Sequence, residues 1–271
     1  MPSFRSWNVE HDAGGGPTGV EISGTLIEMK NYVLPKDYHE LDFSCMKVYL
    51  IEASPRLLNG MSEKASQKAL YYLEKAGVIV RTNTRVKDYD GEMVTLEDGG
   101  TLHARTMVWA AGVTGDRLEG IPQESIVRGN RIKVDEYLCA AGMKDVYAIG
   151  DVAFMTEKDY PHGHPQVAQV AIQMGERLAE NFKARLKNEK ARPFHYKDLG
   201  SLATVGRNHA VADLPRVKFQ GFFAWLTWML VHLMSLVGFK NRVMVFINWA
   251  WSYFTYDQSL RLIIKVRKEK H

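Results

Sequence analysis

Apolar positions in the first part of the chain switch between helical spacing and short continuous runs. Residues 48–51 form an apolar run typical of a buried strand. Residues 62–75 have helical spacing, with Ser62 in the N-cap position and Gly77 just beyond the end. Helical spacing also occurs in residues 19–31, at Val20, Ile22, Leu26, Ile27 and Met29. These patterns predict two helices with a strand between them.

Short strands fill the rest of this first part. Residues 78–80 form an apolar run, and residues 85–102 alternate as a small hairpin with two Asp-Gly turns. Residues 107–111 form a last apolar strand that ends at Gly112. Strands and helices that alternate in this way indicate βαβ units, so the sequence predicts an α/β domain with a parallel sheet.

Two further parts of the chain differ from the first in composition. Residues 119–192 combine turn-rich short strands with one long helix, which is predicted from His164 to about Lys190. Residues 193–271 are dense in Trp, Phe, Tyr and Met. We therefore divide the chain into residues 1–118, 119–192 and 193–271.

The last part contains an apolar segment long enough to cross a bilayer. Residues 221–239 hold no Asp, Glu, Lys or Arg. A helix over residues 219–239 would span about 31 Å at 1.5 Å per residue. Its polar residues, however, fall on one arc, at Gln220, Thr227, His232 and Ser235. This pattern favours a helix at the membrane surface, and a transmembrane helix is the alternative.

A second, shorter helix is predicted directly after the first. Its polar stripe lies opposite Val243, Phe246 and Trp249, and consists of Asn241, Asn248, Ser252 and Thr255. Lys240 and Arg242 stand at the bend between the helices. The aromatic residues that suit the headgroup level are Trp225, Trp228, Trp249, Trp251, Tyr253 and Tyr256. We expect two amphipathic helices in one leaflet; the alternative is that these aromatics form a core or a dimer contact.

The composition excludes several classes of protein. A hydrophobic content of 46% supports a packed core and argues against a disordered chain. The formal net charge of +4 is small, but residues 261–271 are strongly basic, which suits an anionic membrane surface. The sequence lacks the basic and aromatic pattern that nucleic acid requires.

Cysteine and histidine patterns predict neither a metal site nor a redox-active dithiol. Cys45 and Cys139 lie far apart and have no CxxC spacing. His162 and His164 have no further ligand at a suitable spacing. Residues 1–13 are polar and charged, unlike a secretory signal.

The sequence GGGPTGVE contains the pattern G-x-G-x-x-G at Gly14, Gly16 and Gly19. In this pattern the first glycine makes a tight turn, the second lets the backbone approach a pyrophosphate, and the third allows close packing of helix and strand. Glu52 ends the next strand, where a carboxylate can accept hydrogen bonds from both ribose hydroxyls. We therefore predict an NAD site, with an unliganded glycine turn as the alternative.

The residues before this loop do not fit the usual pattern. Residues 6–13 (SWNVEHDA) are polar where a buried apolar strand normally precedes the glycines. We therefore expect either a degraded or replaced first strand, or a chain start that is not a native domain boundary.

A second group of residues that could bind a ligand lies in the middle part. Residues 146–151 (VYAIGD) predict a buried strand that ends at Gly150 and Asp151, where a ligand hydroxyl could bind. Gln169 and Gln173 share one face of the following helix, whose N-terminus would favour an anionic or polarised ring. A polar stripe on a surface helix explains the two glutamines equally well.

Taken together, these motifs resemble those of type II NADH:quinone oxidoreductases, which are flavoproteins with two dinucleotide domains. The motifs, in chain order, are GGGPTGVE, VYLIEASPRLL, VWAAGV, VYAIGD and HPQVAQVAIQMG. The resemblance runs from Gly14 to the end of the chain. Its most specific part is the AQVAIQMG helix followed by an aromatic C-terminal segment.

The resemblance implies an α/β fold with three functional parts. These are a Rossmann-like NAD-binding domain (1–118), the C-terminal half of an FAD-binding domain (119–192) and a membrane-anchoring region of amphipathic helices (193–271). In this family the NAD domain is inserted within the FAD domain.

The resemblance also implies roles for individual residues. Gln169 and Gln173 would border the quinone pocket, Glu21 would handle protons near the nicotinamide, and Lys240 would be a basic partner near the quinone. Asp151 would bind the ribityl chain and the helix start at Ala168 would face the flavin ring. The residues implied to line the cofactor sites are Gly14, Gly16, Gly19, Glu52, Gly112, Gly150, Asp151 and Ala168.

The family reaction passes a hydride from NADH to FAD and then reduces a membrane quinone, without proton pumping. The resemblance therefore implies a respiratory-chain NADH dehydrogenase with FAD and NAD as cofactors. It implies a peripheral protein in contact with membrane lipids, expected on the cytoplasmic face of a bacterial inner membrane; a homodimer is left open.

The sequence departs from the family in one respect. Family members begin with their own G-x-G-x-x-G for FAD, whereas this chain has one such motif, so we expect roughly the first third to be missing and FAD to bind poorly. Two alternatives remain open. One is a catalytically silent, NAD-binding and membrane-attached chain, and the other is a soluble flavoprotein reductase.

Overall fold

The computed structural model describes residues 10–116 and 118–255, with side chains from residue 14 onward. The basic segment 261–271 and Tyr256, which the sequence analysis singled out, lie outside the described residues. The described chain forms two compact units. The first comprises the described residues of Met1–Ala111 and Gly200–His271, and the second those of Gly112–Leu199. The three functional parts with boundaries at 118 and 192 stay a prediction.

Helices and strands alternate along most of the chain. The α-helices are α1 (Pro17–Glu28), α2 (Leu34–Asp37), α3 (Glu63–Ala76), α4 (Ala168–Leu186), α5 (Phe222–Ser235) and α6 (Phe239–Thr255). The strands are β1 (Glu10–Ala13), β2 (Val48–Ile51), β3 (Ile79–Arg81), β4 (Val86–Tyr89), β5 (Met93–Leu96), β6 (Thr101–His103), β7 (Thr106–Trp109), β8 (Ile126–Val127), β9 (Arg131–Lys133), β10 (Ala153–Phe154), β11 (Ser201–Thr204), β12 (Ala210–Asp213) and β13 (Lys218–Gln220). A π-helical segment, Met29–Val33, joins α1 to α2.

The first unit is built on a parallel sheet with the strand order β3-β2-β1-β7. The polar strand β1 lies inside this sheet, pairing with β2 and β7 through residues 10–13. The expectation of a degraded or replaced first strand was therefore wrong. Backbone hydrogen bonds from two neighbours hold β1 in place although its sequence has a low strand propensity.

Helix α3 has the ends that the sequence predicts. The Ser62 hydroxyl accepts a hydrogen bond from the Ala65 N–H at 3.4 Å, and Gly77 ends the helix with φ 104°. Helices α1 and α3 pack on the sheet. The buried side chains of this core include Val20, Ile27, Leu50, Leu73 and Val211.

The predicted hairpin of residues 85–102 is an antiparallel sheet of β4, β5 and β6. Both predicted Asp-Gly turns are present. The Asp90 carboxylate accepts the Glu92 and Met93 N–H groups, and the Asp98 carboxylate accepts the Gly100 N–H. The short side chain of aspartate thus fixes each turn by bonding the backbone that follows it.

The second unit contains β8, β9, β10 and the long helix α4, which packs on a core that includes Val170 and Met174. Helix α4 begins at Ala168 rather than His164 because Val167 is extended, with φ −136° and ψ 150°, and Pro165 precedes it. The predicted strand at residues 146–151 is absent. Tyr147 forms an isolated bridge with Cys139, so this segment has too few backbone partners to form a strand.

The C-terminal part of the first unit begins with an antiparallel sheet of β11, β12 and β13, followed by α5 and α6. Phe219 and Gln220 belong to β13, so the predicted helix from residue 219 begins only at Phe222, after Gly221 with φ 86°. Helix α5 has 14 residues and rises about 21 Å, less than a bilayer core. Among the described residues, no helix combines the length and apolar character needed to cross a membrane.

The aromatic residues of α5 and α6 divide between two environments. Trp225, Trp228, Trp249 and Tyr253 are half-buried against the body of the first unit, whereas Trp251 is 60% exposed. Their position at the headgroup level of a membrane stays a prediction. The sequence analysis placed Trp249 and Ser252 on opposite faces of the second helix, which was wrong. Both line one cavity, because residues three apart share a helix face. The outward apolar residues include Phe223, Leu230, Met234, Phe246 and Phe254.

Truncation of the α3 core residue should destabilise the first unit strongly. We expect Leu73→Ala to lower the free energy of unfolding by about 2–5 kcal/mol, because Leu73 is fully buried and the change leaves a cavity. The measurement is urea unfolding followed by circular dichroism. Tyr71→Ala on the same helix is the control, since Tyr71 is 51% exposed. Equal losses in the two variants would contradict the described packing of α3.

Candidate functional site

The glycine loop between β1 and α1 has the geometry of a dinucleotide-binding turn. Gly14 has φ 125°, and a Cβ there would lie 2.6 Å from the Ala110 carbonyl oxygen. A Cβ at Gly19 would overlap the carbonyl oxygen of Gly14, so glycine is required where α1 meets the loop. At Gly16 a Cβ would meet no atom within 4 Å, which leaves open space beside the backbone.

The start of α1 leaves backbone donors for an anion. Gly16 is the N-cap residue and supplies no side chain to bond the first turn, and Pro17 follows it. The first turn carries no acidic side chain. A helix N-terminus of this kind attracts phosphate groups through its N–H groups and its dipole. The conformational roles of the three glycines are as predicted, while ligand binding by them stays a prediction.

Glu52 closes the loop from the end of β2. Its carboxylate accepts the Gly15 N–H through Oε2 and the Ser54 N–H through Oε1, the latter at 2.6 Å. The loop is further held by the Leu58 N–H, which bonds the Gly15 carbonyl oxygen at 2.7 Å. The sequence placed Glu52 beside the glycines correctly. Its carboxylate is fixed by two backbone donors, and its binding of a ribose stays a prediction.

Glu21 lies on the face of α1 that meets the C-terminal part of the chain. Its Oε1 atom accepts the Thr204 N–H at 3.2 Å. Burial raises the pKa of the Glu21 carboxyl, while the Thr204 N–H, His232 and Trp228 act in the opposite direction. The Trp228 Nε1 atom is buried and forms no hydrogen bond of regular geometry among the described residues. Glu21 is therefore a half-buried acid that retains its proton to a higher pH than an exposed glutamate.

A second acid on the same helix was missed by the sequence analysis. The Glu28 carboxylate accepts the Arg207 backbone N–H, and burial raises the pKa of its carboxyl. The Arg207 guanidinium donates to the carbonyl oxygens of Ser252 and Tyr253, near the end of α6. The sequence did contain a signal for Glu28. It lies seven residues after Glu21 and so shares its helix face.

In the second unit, Gly150 and Asp151 form a tight 3-10 turn beside α4. Gly150 has φ 70°, and a Cβ there would lie 3.2 Å from the Ala171 Cβ. Asp151 is exposed, with its carbonyl oxygen bonded by the Gln166 side chain at 3.2 Å. Ala168 is the exposed first residue of α4, which has no side-chain cap. The structure thus brings Gly150, Asp151 and the start of α4 together, as the motifs predict, although Asp151 follows a turn rather than a strand.

Gln169 and Gln173 share a face of α4, as predicted. Gln173 bonds both backbone groups of Lys197, at 2.9 and 3.0 Å, and Gln169 accepts the Leu199 N–H at 3.1 Å. Their amides therefore hold the segment 197–199 against the helix. Their role in quinone binding stays a prediction.

The remaining predicted residues are exposed. Gly112 has φ 108° and lies beyond the end of β7, and Lys240 is an exposed residue in the first turn of α6. Their roles stay predictions. In the second unit, the Glu157 carboxylate hydrogen-bonds His164 at 2.9 Å and His195 at 3.0 Å, a cluster that sequence spacing gave no reason to expect. Within the described ranges, no three His, Cys, Asp or Glu residues form a group that could hold a metal ion.

Two family models match the chain. The pyridine nucleotide-disulphide oxidoreductase model matches residues 13–175, and the NDH2 C-terminal domain model matches residues 199–255. The first covers the glycine loop and the start of α4, and the second covers β11–β13, α5 and α6. The chain belongs to the type II NADH:quinone oxidoreductase family.

Curated members of this family are similar over most of the chain. The type II NADH:quinone oxidoreductase Ndh of Mycobacterium tuberculosis is 35% identical over 253 residues, which are 89% of this chain and 53% of the relative. The enzyme of Haemophilus influenzae is 31% identical over 82% of this chain and 51% of its own length. The chain thus spans about half the length of the curated relatives it matches.

A solved structure in this family shares the fold. NDH2 from Plasmodium falciparum, in complex with NADH, has a TM-score of 0.84 at 20% identity, over 96% of this chain and 70% of the solved one. The predicted α/β fold is thereby confirmed.

The raised pKa of Glu21 predicts a pH dependence of stability. The folded state holds the Glu21 proton more tightly than the unfolded chain, so stability is lost as pH rises from about 4.5 through the folded pKa. Glu21→Gln keeps an oxygen for the Thr204 N–H and removes this titration. We expect the variant to gain stability relative to the wild type as pH rises above 4.5, in urea unfolding at a series of pH values.

The control for this pH series is Glu97→Gln, because Glu97 is exposed beyond the end of β5. The free energy of unfolding of this control, measured relative to the wild type, should not show the rise with pH that we expect for the Glu21 variant. Parallel pH profiles for the Glu21 variant and the wild type would refute the assignment.

Proposed function

We propose that this chain forms the NADH-binding and membrane-facing part of an enzyme that passes electrons from NADH to a membrane quinone through FAD. The main observation behind this proposal is the glycine loop, which the Glu52 carboxylate closes through two hydrogen bonds. The match to the NDH2 C-terminal domain model at residues 199–255 supports it as well. The named activities of the Mycobacterium tuberculosis and Haemophilus influenzae relatives support the same function.

The residues of the loop would bind the dinucleotide by its phosphates and one ribose. The backbone beside Gly16 is open to a pyrophosphate, and the first turn of α1 supplies N–H donors and a favourable dipole. Glu52 would accept the ribose hydroxyls. Its negative charge would repel a 2′-phosphate, so we propose NADH rather than NADPH as the substrate.

Glu21 would hold a proton for the reaction. Burial favours the neutral carboxyl, and the Thr204 N–H fixes one carboxyl oxygen. A positioned carboxyl that holds its proton to a higher pH than an exposed glutamate can act as a general acid and then regain the proton. Quinone reduction consumes protons, so a positioned acid of this kind suits the second half of the reaction.

The second unit fits one half of FAD only. Gly150, Asp151 and the uncapped start of α4 would hold the ribityl chain and face the flavin ring. The sequence, however, has one G-x-G-x-x-G, which lies in the first unit, so this chain supplies no matching loop for the FAD pyrophosphate. When bound, FAD would accept the hydride and pass electrons on.

The exposed apolar residues of α5 and α6 support attachment to a membrane surface. Leu230 and Phe246 are 53% and 56% exposed on helices of 14 and 17 residues. Burial of such faces in the headgroup region would stabilise a peripheral position, which we place on the cytoplasmic side of a bacterial inner membrane. We propose Gln169 and Gln173 of the second unit as residues that border the quinone. A homodimer that covers the same faces is the competing arrangement.

A catalytically silent, NAD-binding chain attached to the membrane is the second candidate. It differs from the proposed enzyme in binding NADH without retaining FAD.

The Glu52 carboxylate should set the nucleotide preference. We expect Glu52→Gln to weaken NADH binding about tenfold to a hundredfold, since hydrogen bonds to a charged group contribute about 1.5–3 kcal/mol. NADPH affinity should not fall, because the repulsion of its phosphate is removed. Isothermal titration with both nucleotides measures the ratio, and Glu97→Gln serves as the control. Equal losses for NADH and NADPH would mean that Glu52 only supports the loop.

The test of the whole function is a visible spectrum of the purified chain with added FAD, followed by NADH and a short-tailed quinone. A retained flavin band that NADH bleaches and the quinone restores would support the proposed enzyme. NADH binding without a retained flavin band would favour the silent candidate. Loss of NADH binding as well would overturn both.

A further inference from the structure

Asp213 of strand β12 bonds the loop that carries Glu52. The β2–α3 loop consists of residues 52–62, between the end of β2 and the start of α3. The Asp213 carboxylate accepts the Ser62 backbone N–H through Oδ2 and the Ser62 hydroxyl through Oδ1, the latter at 2.8 Å. Asp213 thus fixes the last residue of this loop, and Glu52 is its first residue.

Asp213 takes a role that a residue of α3 itself would normally have. In a capping box, a Glu or Gln at the third helical position accepts the backbone N–H of the N-cap residue. The third residue of α3 is Ala65, whose side chain accepts no hydrogen bond. Asp213, 151 residues away along the chain, accepts the N–H of the N-cap residue Ser62 instead. The start of α3 therefore depends on a residue of the C-terminal sheet.

The sheet around β12 holds Asp213 in place. Asp213 pairs with Ser201 of β11 on one side and with Lys218 of β13 on the other. The two residues before it, Val211 and Ala212, are fully buried. A residue at the end of a central strand, with a buried segment before it, has little freedom to move. The Asp213 carboxylate is therefore a fixed support for the end of the β2–α3 loop.

The β2–α3 loop carries this support to the glycines. The Leu58 N–H bonds the Gly15 carbonyl oxygen at 2.7 Å, and the Met61 N–H bonds the Leu58 carbonyl oxygen at 2.8 Å. The Leu57 side chain lies against the glycine loop, since a Cβ at Gly15 would come within 2.5 Å of its Cδ2 atom. Continuous contacts thus join the end of the β2–α3 loop to the glycine loop.

Leu58 has a backbone conformation that depends on these contacts. Its φ is 49°, in the left-handed region that residues other than glycine seldom adopt. A residue in this region keeps its conformation only where the surrounding structure fixes it. Leu58 is fixed by Gly15 on one side and by Met61 on the other, and Met61 directly precedes the Ser62 that Asp213 holds. Without Asp213, other conformations of the β2–α3 loop would become populated.

We propose that Asp213 is a positioning residue for NADH binding, which acts through the β2–α3 loop and keeps the glycine loop ready to bind. The inference rests on the proposed function in taking the glycine loop and Glu52 as the NADH site. The simpler alternative is that Asp213 only stabilises the start of α3. The Ser62 hydroxyl already caps that helix by accepting the Ala65 N–H, so the helix alone does not require Asp213.

The first test is isothermal titration of the full chain in detergent micelles with NADH, without FAD. We expect Asp213→Ala to raise the Kd for NADH about tenfold. Only molecules with the loop in place bind, and the apparent Kd rises in inverse proportion to their fraction. The Kd for NADPH should rise by the same factor, because the loop is displaced and no ribose contact is changed. Glu52→Gln, in contrast, should change the ratio of the two affinities.

Two further variants separate positioning from helix stability. Ser62→Ala removes the capping hydroxyl but keeps the backbone N–H that Asp213 accepts, so the Kd for NADH should rise less than threefold. Asp213→Asn has nearly the same shape and keeps one carbonyl oxygen for that N–H, so it should recover most of the affinity. Equal rises in Kd for Asp213→Ala and Ser62→Ala would overturn the proposal, because lost helix stability would then explain both.

Hydrogen exchange of the ligand-free chain tests the loop itself. The Leu58 amide should exchange about tenfold faster in Asp213→Ala than in the wild type, while the Leu50 amide of β2 keeps its rate. Asp213→Asn, which should show a smaller rise, serves the same purpose if Asp213→Ala does not fold. An unchanged rate at Leu58 would overturn the proposal. Faster exchange at Leu58, in a chain whose wild type binds no NADH, would contradict the proposed function and not the link between Asp213 and the loop.

Discussion

Two half-buried carboxyl groups on helix α1 join the glycine loop to the C-terminal helices. Glu21 accepts the Thr204 N–H and Glu28 accepts the Arg207 N–H, so α1 holds the end of β11 and the turn that follows. Arg207 in turn bonds carbonyl oxygens of α6. The helix that carries the glycine loop at its N-terminus thus also positions the helices that face the proposed membrane. A displacement of α1 would therefore move both the nucleotide loop and the C-terminal helices.

Much of the first unit could be predicted from sequence because its signals are local. The Ser62 cap, the Gly77 end of α3 and the Asp-Gly turns each depend on residues within four positions of one another. The position of Glu52 followed from the strand before it. Strand β1 failed as a prediction because its stability comes from pairing with β2 and β7, whose residues lie about 40 and 100 positions away. The predicted strand at residues 146–151 is absent for the opposite reason. Its sequence is apolar, but it pairs with its neighbour through a single isolated bridge, which is too little to form a strand.

The sequence predicted the separate motifs of the candidate site. It did not predict the contacts that connect these motifs. Sequence spacing identified Gly14 and Gly16, and the family resemblance identified Glu21. Neither pointed to Thr204 or Arg207, whose backbone N–H groups carry no sequence signal. The aromatic residues of α5 and α6 were likewise not divided by the sequence. Aromatic rings suit both a headgroup region and a protein cavity, so composition alone cannot divide Trp249 from Trp251. Which of the two tryptophans faces the protein depends on the orientation of α6. Arg207 contributes to that orientation through its hydrogen bonds to the carbonyl oxygens near the end of the helix.

The position of the two acids on α1 also raises an electrostatic constraint. The N-terminus of α1 must favour an anionic pyrophosphate, and a negative charge near it would weaken that attraction. Glu21 is the fifth residue of α1, close enough for its charge to matter. Burial raises the pKa of Glu21, so its carboxyl holds a proton, and stays uncharged, to a higher pH than an exposed glutamate at the same place. The contact between α1 and Thr204 that buries Glu21 also joins α1 to the C-terminal part of the first unit, so the packing and the charge of Glu21 depend on one another.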